Sequence, residues 1–166
     1  MQNTNQPRQP QLEPGQLIPA FTLPGADGMP HSPWDYKQRE HLVLLFPHST
    51  TMSETRGLLR TFAQQYTDFR EEDCAILAIT PDTVIINLQA QEALQLPFAL
   101  LGDPKGDVIS RYTVWDSSTH TLTPSIVLAD RYGMLYQQWT AENEAELPPI
   151  AELLASLQYL NRLCTP

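Results

Sequence analysis

The chain is poor in cysteine, in basic side chains and in long apolar runs, and each shortage removes a class of protein. Cys74 and Cys164 are its 2 cysteines among 166 residues, so none lies between Met1 and Asp73. Two thiols so far apart cannot staple a small secreted scaffold and match no zinc-ligand spacing. Reduced thiols and a cytoplasmic setting are expected. Lysine and arginine number 10 against 19 aspartates and glutamates, a formal charge of −9. Such a surface repels a phosphate backbone, so nucleic acid is not expected as a partner. No apolar stretch approaches the roughly 20 residues that span a bilayer, and no membrane role is expected. Charged residues make up 17% of the chain and apolar residues 42%, a balance that suits a packed core better than a disordered segment.

Proline, by contrast, is abundant: 15 residues, roughly twice the average usage of about 5%. It limits uninterrupted helices and predicts many turns, against an all-helical bundle. Residues 1–14, rich in Gln, Asn and Pro, offer nothing to bury in exchange for their ordering entropy. They read as a flexible tail, neither secretory signal nor anchor, and residues 15–166 read as one domain. Within it, His41-Leu42-Val43-Leu44-Leu45-Phe46 is a continuous apolar run stopped by Pro47, the pattern of a strand buried on both faces. Leu58, Leu59, Phe62, Tyr66 and Phe69 recur at three- and four-residue steps and predict an amphipathic helix over 53–70. Residues 74–79 predict a second buried strand. Asp82 then stands as N-cap of a helix whose apolar stripe is Val84, Ile85 and Leu88.

Residues 96–101 read as a short strand, and Asp103-Pro104 as the start of a brief helix reaching about Tyr112. Residues 125–129 and 134–139 flank Asp130-Arg131-Tyr132-Gly133 and predict an antiparallel hairpin with Gly at a positive φ. Pro148-Pro149 opens a closing helix with Ile150, Leu153, Leu154, Leu157, Leu160 and Leu163 on one face. Strands alternating with helices imply an α/β fold with right-handed parallel crossovers.

Several local phrases, taken in order, resemble the peroxiredoxin branch of the thioredoxin fold, the alkyl hydroperoxide reductase and thiol-specific antioxidant family. They are Pro19-Ala20-Phe21-Thr22-Leu23 with the Asp27-Gly28 turn, Phe46-Pro47, Thr80-Pro81-Asp82, the stretch from Leu96-Pro97-Phe98 to Asp103-Pro104-Lys105-Gly106, Arg111-Tyr112-Thr113-Val114, Thr123-Pro124, and Asp130-Arg131-Tyr132-Gly133. The resemblance implies a three-layer α/β fold, with a central mixed sheet flanked by helices and an extended or hairpin lead-in. It implies thiol-dependent peroxidase or oxidoreductase chemistry without cofactor or metal, and a cis bond at Thr123-Pro124, as in thioredoxin-fold relatives.

That family places a cysteine in the first turn of the helix after the first core strand, with Glu three residues later. Aligned on the strand end and on Glu54, this chain has Thr51 in that slot, with Pro47 closer than the family spacing, and Pro124 where the family has an arginine. The implied site of Pro47, Thr51, Glu54, Thr123 and Pro124 is vestigial, because a threonine oxygen has no counterpart to the sulfenic acid step. Thr51-Met52-Ser53-Glu54 itself fits a capping box. A binding, assembly or regulatory module is therefore expected, as a homodimer or with an unknown protein partner, leaning away from an enzyme.

Two alternatives stay open. One is a thiol oxidoreductase or peroxidase using Cys74 or Cys164, or one whose cysteine was replaced, at Ser49 or Ser53. The other is a small-anion or ligand site at His48, Ser49, Thr50 and Thr51, using the free amides of a helix N-terminus. Cys74 opens an apolar strand and reads as a small core hydrophobe, and Cys164 as a thiol on a frayed helix end; a disulfide between them is a minor reading. His31, His41, His48 and His120 show no metal-ligand spacing and are expected at the surface. Trp115, Trp139 and Tyr136 read as strand and loop packing.

Overall fold

The two runs with no polar alternation become the centre of the sheet. In the computed structural model, which describes residues 12–163, β3 (His41–Phe46) and β4 (Cys74–Thr80) are buried along their whole length. They follow a short lead-in hairpin, β1 (Leu23–Pro24) and β2 (Pro30–His31). β5 (Ala99–Gly102) extends the parallel half of the sheet. A small hairpin, β6 (Trp115–Asp116) and β7 (Thr121–Leu122), precedes the antiparallel half, β8 (Ser125–Ala129) and β9 (Leu135–Thr140). The order across the sheet is β5-β4-β3-β8-β9, and Gly133, at φ +80°, closes the last hairpin as its sequence requires.

Because successive side chains of a strand point to opposite faces, β3 feeds two cores. Leu42, Leu44 and Phe46 face one core, shared with Ile18, Phe21, Ile109 and Tyr112. Val43 and Leu45 face the other, shared with Leu59, Phe62, Phe69, Leu153 and Leu157. The second face is covered by α1 (Ser53–Gln64), α2 (Tyr66–Glu71), α3 (Val84–Leu94) and α5 (Ile150–Leu163), and the first by the lead-in and by α4 (Ile109–Tyr112). The three-layer α/β architecture with a central mixed sheet is thus present. No described helix is long and apolar enough to cross a membrane.

Several local expectations are corrected. The helix over 53–70 is two helices, broken at Gln65 (φ −100°, ψ 8°); the break turns Phe69 onto Phe62, ring centroids 5.7 Å apart. The apolar stripe of α3 does not face inward: Ile85 is 71% and Leu88 40% exposed, while Asn87 and Ala90 are buried. The reason is polar. The Thr80 hydroxyl donates to Asn87 Oδ1 at 2.8 Å, and Gln91 accepts from Leu100 N–H and donates to the Phe98 carbonyl, satisfying the backbone of edge strand β5.

Thr83, not Asp82, caps α3 by accepting from the Ile86 N–H. α4 starts later than expected, and Asp103 accepts from the Val108 and Ile109 amides across an intervening turn. Among the described residues no peptide bond is cis, so Thr123-Pro124 is trans. Thr123, between β7 and β8, is held on both sides, its N–H donating to the Val114 carbonyl and its carbonyl accepting from the Thr113 hydroxyl. That arrangement suits the trans form, which X–Pro bonds already favour by about 0.5–1 kcal/mol. His41 is fully buried rather than at the surface. Most of the expected tail and Cys164, with any Cys74 pairing to it, lie outside the described residues.

Candidate functional site

Pro47 ends β3 because it cannot continue a ladder, and the next residues form a loop before α1. That loop is Pro47-His48-Ser49-Thr50-Thr51-Met52, at the carboxyl ends of the parallel strands, where open α/β sheets place their clefts. The expected capping box does not form. α1 begins at Ser53 with Met52 as N-cap and no side-chain cap. Thr51 stands one residue too early; exposed, its hydroxyl pairs with Ser49 Oγ at 2.8 Å instead. Glu54 falls within the first helical turn and is exposed.

Two carboxylates from distant segments fasten the loop. Asp82, just beyond β4, accepts from Ser49 Oγ at 2.6 Å, from Thr50 N–H at 2.7 Å and from Thr50 Oγ1 at 2.9 Å. Glu144, in the 3-10 turn Glu144–Glu146, accepts through Oε1 from the His48 N–H at 2.8 Å and from the Thr55 hydroxyl at 2.6 Å. The Arg56 guanidinium closes the ring by donating to the Thr50 carbonyl at 3.0 Å. The amides of His48 and Thr50 therefore have carboxylate acceptors, and that of Thr51 donates to Ser49 Oγ.

Of the residues singled out from the sequence, the structure groups Pro47, His48, Ser49, Thr50, Thr51 and Glu54 by chain proximity. The strand register adds Pro124: Phe46 lies opposite Ser125, so Pro47 and Pro124 continue from paired positions at one end of the sheet. Thr123 precedes them and belongs to the backbone network around Thr113 and Val114. His120 approaches the same end, its Nε2 2.8 Å from the Pro81 carbonyl.

Cys74 is elsewhere. It pairs with His41 in the β3–β4 register, at the opposite end of the strands, and is fully buried. Its Sγ lies 3.3 Å from the Ala75 carbonyl. Burial pushes its thiol far above the ordinary range, the reverse of what an attacking thiolate needs.

The sequence reading missed Glu144 and gave Asp82 the wrong task. No local pattern marks either, since each meets the loop only through the fold. A cleft of about 420 Å³ lies between the loop and the Glu144 turn, lined among others by His48, Met52, Glu54, Glu144 and Glu146. Among the described residues no group of three or more His, Cys, Asp or Glu is placed to hold a metal ion. His31 pairs with Asp27 at 2.8 Å within the lead-in hairpin.

Comparison with known proteins bears on this arrangement. Residues 14–138 match the family model of the AhpC/TSA family. Peroxiredoxin Bcp of Bacillus subtilis is 26% identical over 134 residues, covering 77% of this chain and 85% of its own. A Mycobacterium tuberculosis protein provisionally named as a peroxiredoxin is 35% identical over 104 residues, covering 63% of this chain. That match spans 64% of the mycobacterial protein's length. Among solved structures, peroxidoxin BcpB of Mycobacterium tuberculosis superposes with a TM-score of 0.80 at 19% identity, covering 90% of this chain and 98% of its own. Enterococcus faecalis AhpC gives 0.82 at 13%, covering 92% and 95%. These likenesses share the architecture of sheet and helices described above, and on the match across residues 14–138 the chain belongs to the AhpC/TSA family.

Proposed function

We propose that this member of the family serves as a binding or assembly module rather than as a thiol peroxidase. The observation that carries the reading is the composition and wiring of the loop before α1. Where the family resemblance puts a nucleophilic cysteine, the loop has Thr51, and its neighbouring donors are engaged by Asp82 and Glu144. Peroxide reduction needs a sulfur that takes up one oxygen and is reduced again; the described thiol, Cys74, is buried at the far end of the sheet. Negative carboxylates at the loop would also oppose a thiolate placed there. The same wiring weakens the anion-binding alternative, because the amides of His48 and Thr50 already face carboxylate oxygens. A homodimer is the assembly this reading expects.

The test is peroxide consumption with dithiothreitol or thioredoxin as reductant. The expected rate equals that of a Cys74→Ser, Cys164→Ser double variant. Turnover that the Cys164→Ser change abolishes would restore the oxidoreductase reading. Sedimentation of the same sample reports whether a homodimer forms.

A further inference from the structure

At the other end of the sheet from the loop, a buried polar node joins β3, α2, α5 and the turn before β9. His41, fully buried at the head of β3, has its Nε2 2.8 Å from Asn161 Oδ1 of α5. The same oxygen accepts from the Arg131 guanidinium at 3.1 Å, and the Asn161 amide donates to the carbonyl and carboxylate of Glu72 at the end of α2. Arg131 also brings a guanidinium nitrogen to 3.4 Å from His41 Nε2. Two nitrogens of the node, His41 Nδ1 and Arg131 Nε, are buried with no hydrogen-bond partner among the described residues. The closed node therefore suits a neutral imidazole. A second ring proton would find no acceptor among these residues and would lie beside a permanent positive charge.

We propose that this node is an acid-operated latch, in which protonation of His41 releases the last turn of α5 from the head of β3 and the end of α2. The inference goes beyond the binding-module reading and does not depend on it. A proton, like any ligand, shifts a population by the difference in its affinity for the two states. Water reaches the ring only when the node opens, so the charged imidazole favours the open state. The charges around the ring only partly offset this. Asp73 and Asp130 draw the proton, whereas burial and Arg131 repel it and hold the ring below its ordinary value of 6.5. Glu72 is taken up by Asn161, Glu40 by Arg70 at 2.6 Å, and the group opposite His41 in β4 is the buried Cys74 thiol. Arg162 follows Asn161 on α5 and adds no negative charge. The helix end is the part that yields. β3 is held between β4 and β8, the His41 N–H donates to the Asp73 carbonyl, and the Arg131 carbonyl accepts from the Gln38 N–H. Beyond Leu160, by contrast, α5 buries no further side chain: Asn161 is half-buried, and Arg162 and Leu163 are exposed. Helix ends with so little apolar cover open at the least cost.

The test is amide hydrogen exchange of the full chain, read residue by residue between pH 7.5 and 5.0 in low, non-denaturing urea and corrected for the intrinsic exchange rate at each pH. Protection of the Leu160 and Asn161 amides is expected to fall by about tenfold across this range. That fall should carry little urea dependence, because opening one turn exposes little surface, whereas the Val43 and Leu44 amides of β3 should show the full urea dependence of unfolding. His41→Gln keeps a donor toward Asn161 and is expected to reduce the change to less than about twofold. Three results would each overturn the latch: protection at Leu160 and Asn161 that does not fall, a fall with the same urea dependence as in β3, or an undiminished fall in His41→Gln. Should that variant fail to fold, Arg131→Gln takes its place. Without the guanidinium beside it the ring keeps more of its proton affinity, so the acid response should shrink by at least about half, and an undiminished response would equally overturn the proposal.

Discussion

His41 opens β3 with its ring wholly buried. Its Nε2 lies 2.8 Å from Asn161 Oδ1, which also accepts from the Arg131 guanidinium at 3.1 Å, so the proton of the neutral ring belongs on Nε2. The Asn161 amide in turn donates to the Glu72 carbonyl and carboxylate, pinning α5 to the end of α2. His41 Nδ1 is buried without a hydrogen-bond partner among the described residues, so a second proton there would find no acceptor among them and would sit near the Arg131 charge. Burial chiefly, with Arg131 adding to it, holds the imidazole below its ordinary value of 6.5; the Asn161 hydrogen bond and the Asp130 and Asp73 charges oppose this in part. The native state therefore takes up the proton at lower pH than the unfolded chain, and stability falls as pH drops below 6.5 until the native ring titrates. Urea midpoints measured from pH 7.5 downward should decline through that window, and His41→Gln should flatten the decline while keeping the bond to Asn161. An unchanged slope in the variant would place the pH dependence elsewhere.

Among elements, the β3–α1 loop and α3 depend on polar groups that reach across the fold. Replacing Asp82 by alanine strands the Thr50 amide and two hydroxyls, and bonds to a charged group are worth about 1.5–3 kcal/mol each without being additive. The expected loss is about 3 kcal/mol, a fall of roughly 10 °C in Tm for a chain of this size. Asp82→Asn keeps an acceptor and should lose less than half of that. Calorimetric melts of the two variants decide, and equal, small shifts would show that the carboxylate does not hold the loop.

The same groups explain what could be read from the sequence. β3, β4, β8 and α5 were legible because their burial follows a simple period, continuous in the three strands and 3.6 in α5, whereas β9, only partly buried, was legible from the Asp130–Gly133 turn before it. α3 was not, because the periodic reading assumes an apolar inward face, and here Asn87 and Gln91 turn inward to serve Thr80 and β5. The loop residues could be named from the family resemblance. Their partners could not, since Asp82 and Glu144 lie 33 and 96 positions away from Ser49 and His48. Local spacing carries no record of such a pairing.

At the scale of the molecule, the two cores are not independent, because β3, β4 and β8 each give alternate residues to both. Leu44, Leu77 and Val127 face one side and Val43, Ile76 and Ile126 the other. A sheet shared in this way cannot lose one helical layer and keep the register that orders the second. Leu157 of α5 is fully buried in the core that holds Phe62 and Leu153, and Leu157→Ala should cost about 2–5 kcal/mol. The consequence should reach the opposite side in full. Trp115 packs against one core and Trp139 against the other, while Trp34 is 48% exposed and serves as a weakly responsive background. Urea unfolding of Leu157→Ala, followed by fluorescence with Trp139→Phe and separately with Trp115→Phe, should give coincident midpoints, both lowered, with the same m-value as the unsubstituted leucine background. If the Trp139 signal moved while the Trp115 signal stayed, the sheet would be transmitting side-chain order poorly between its faces. The clamp of Asp82 and Glu144 at its carboxyl end would then be a locally held site, whose stability could be tuned without touching the rest of the fold.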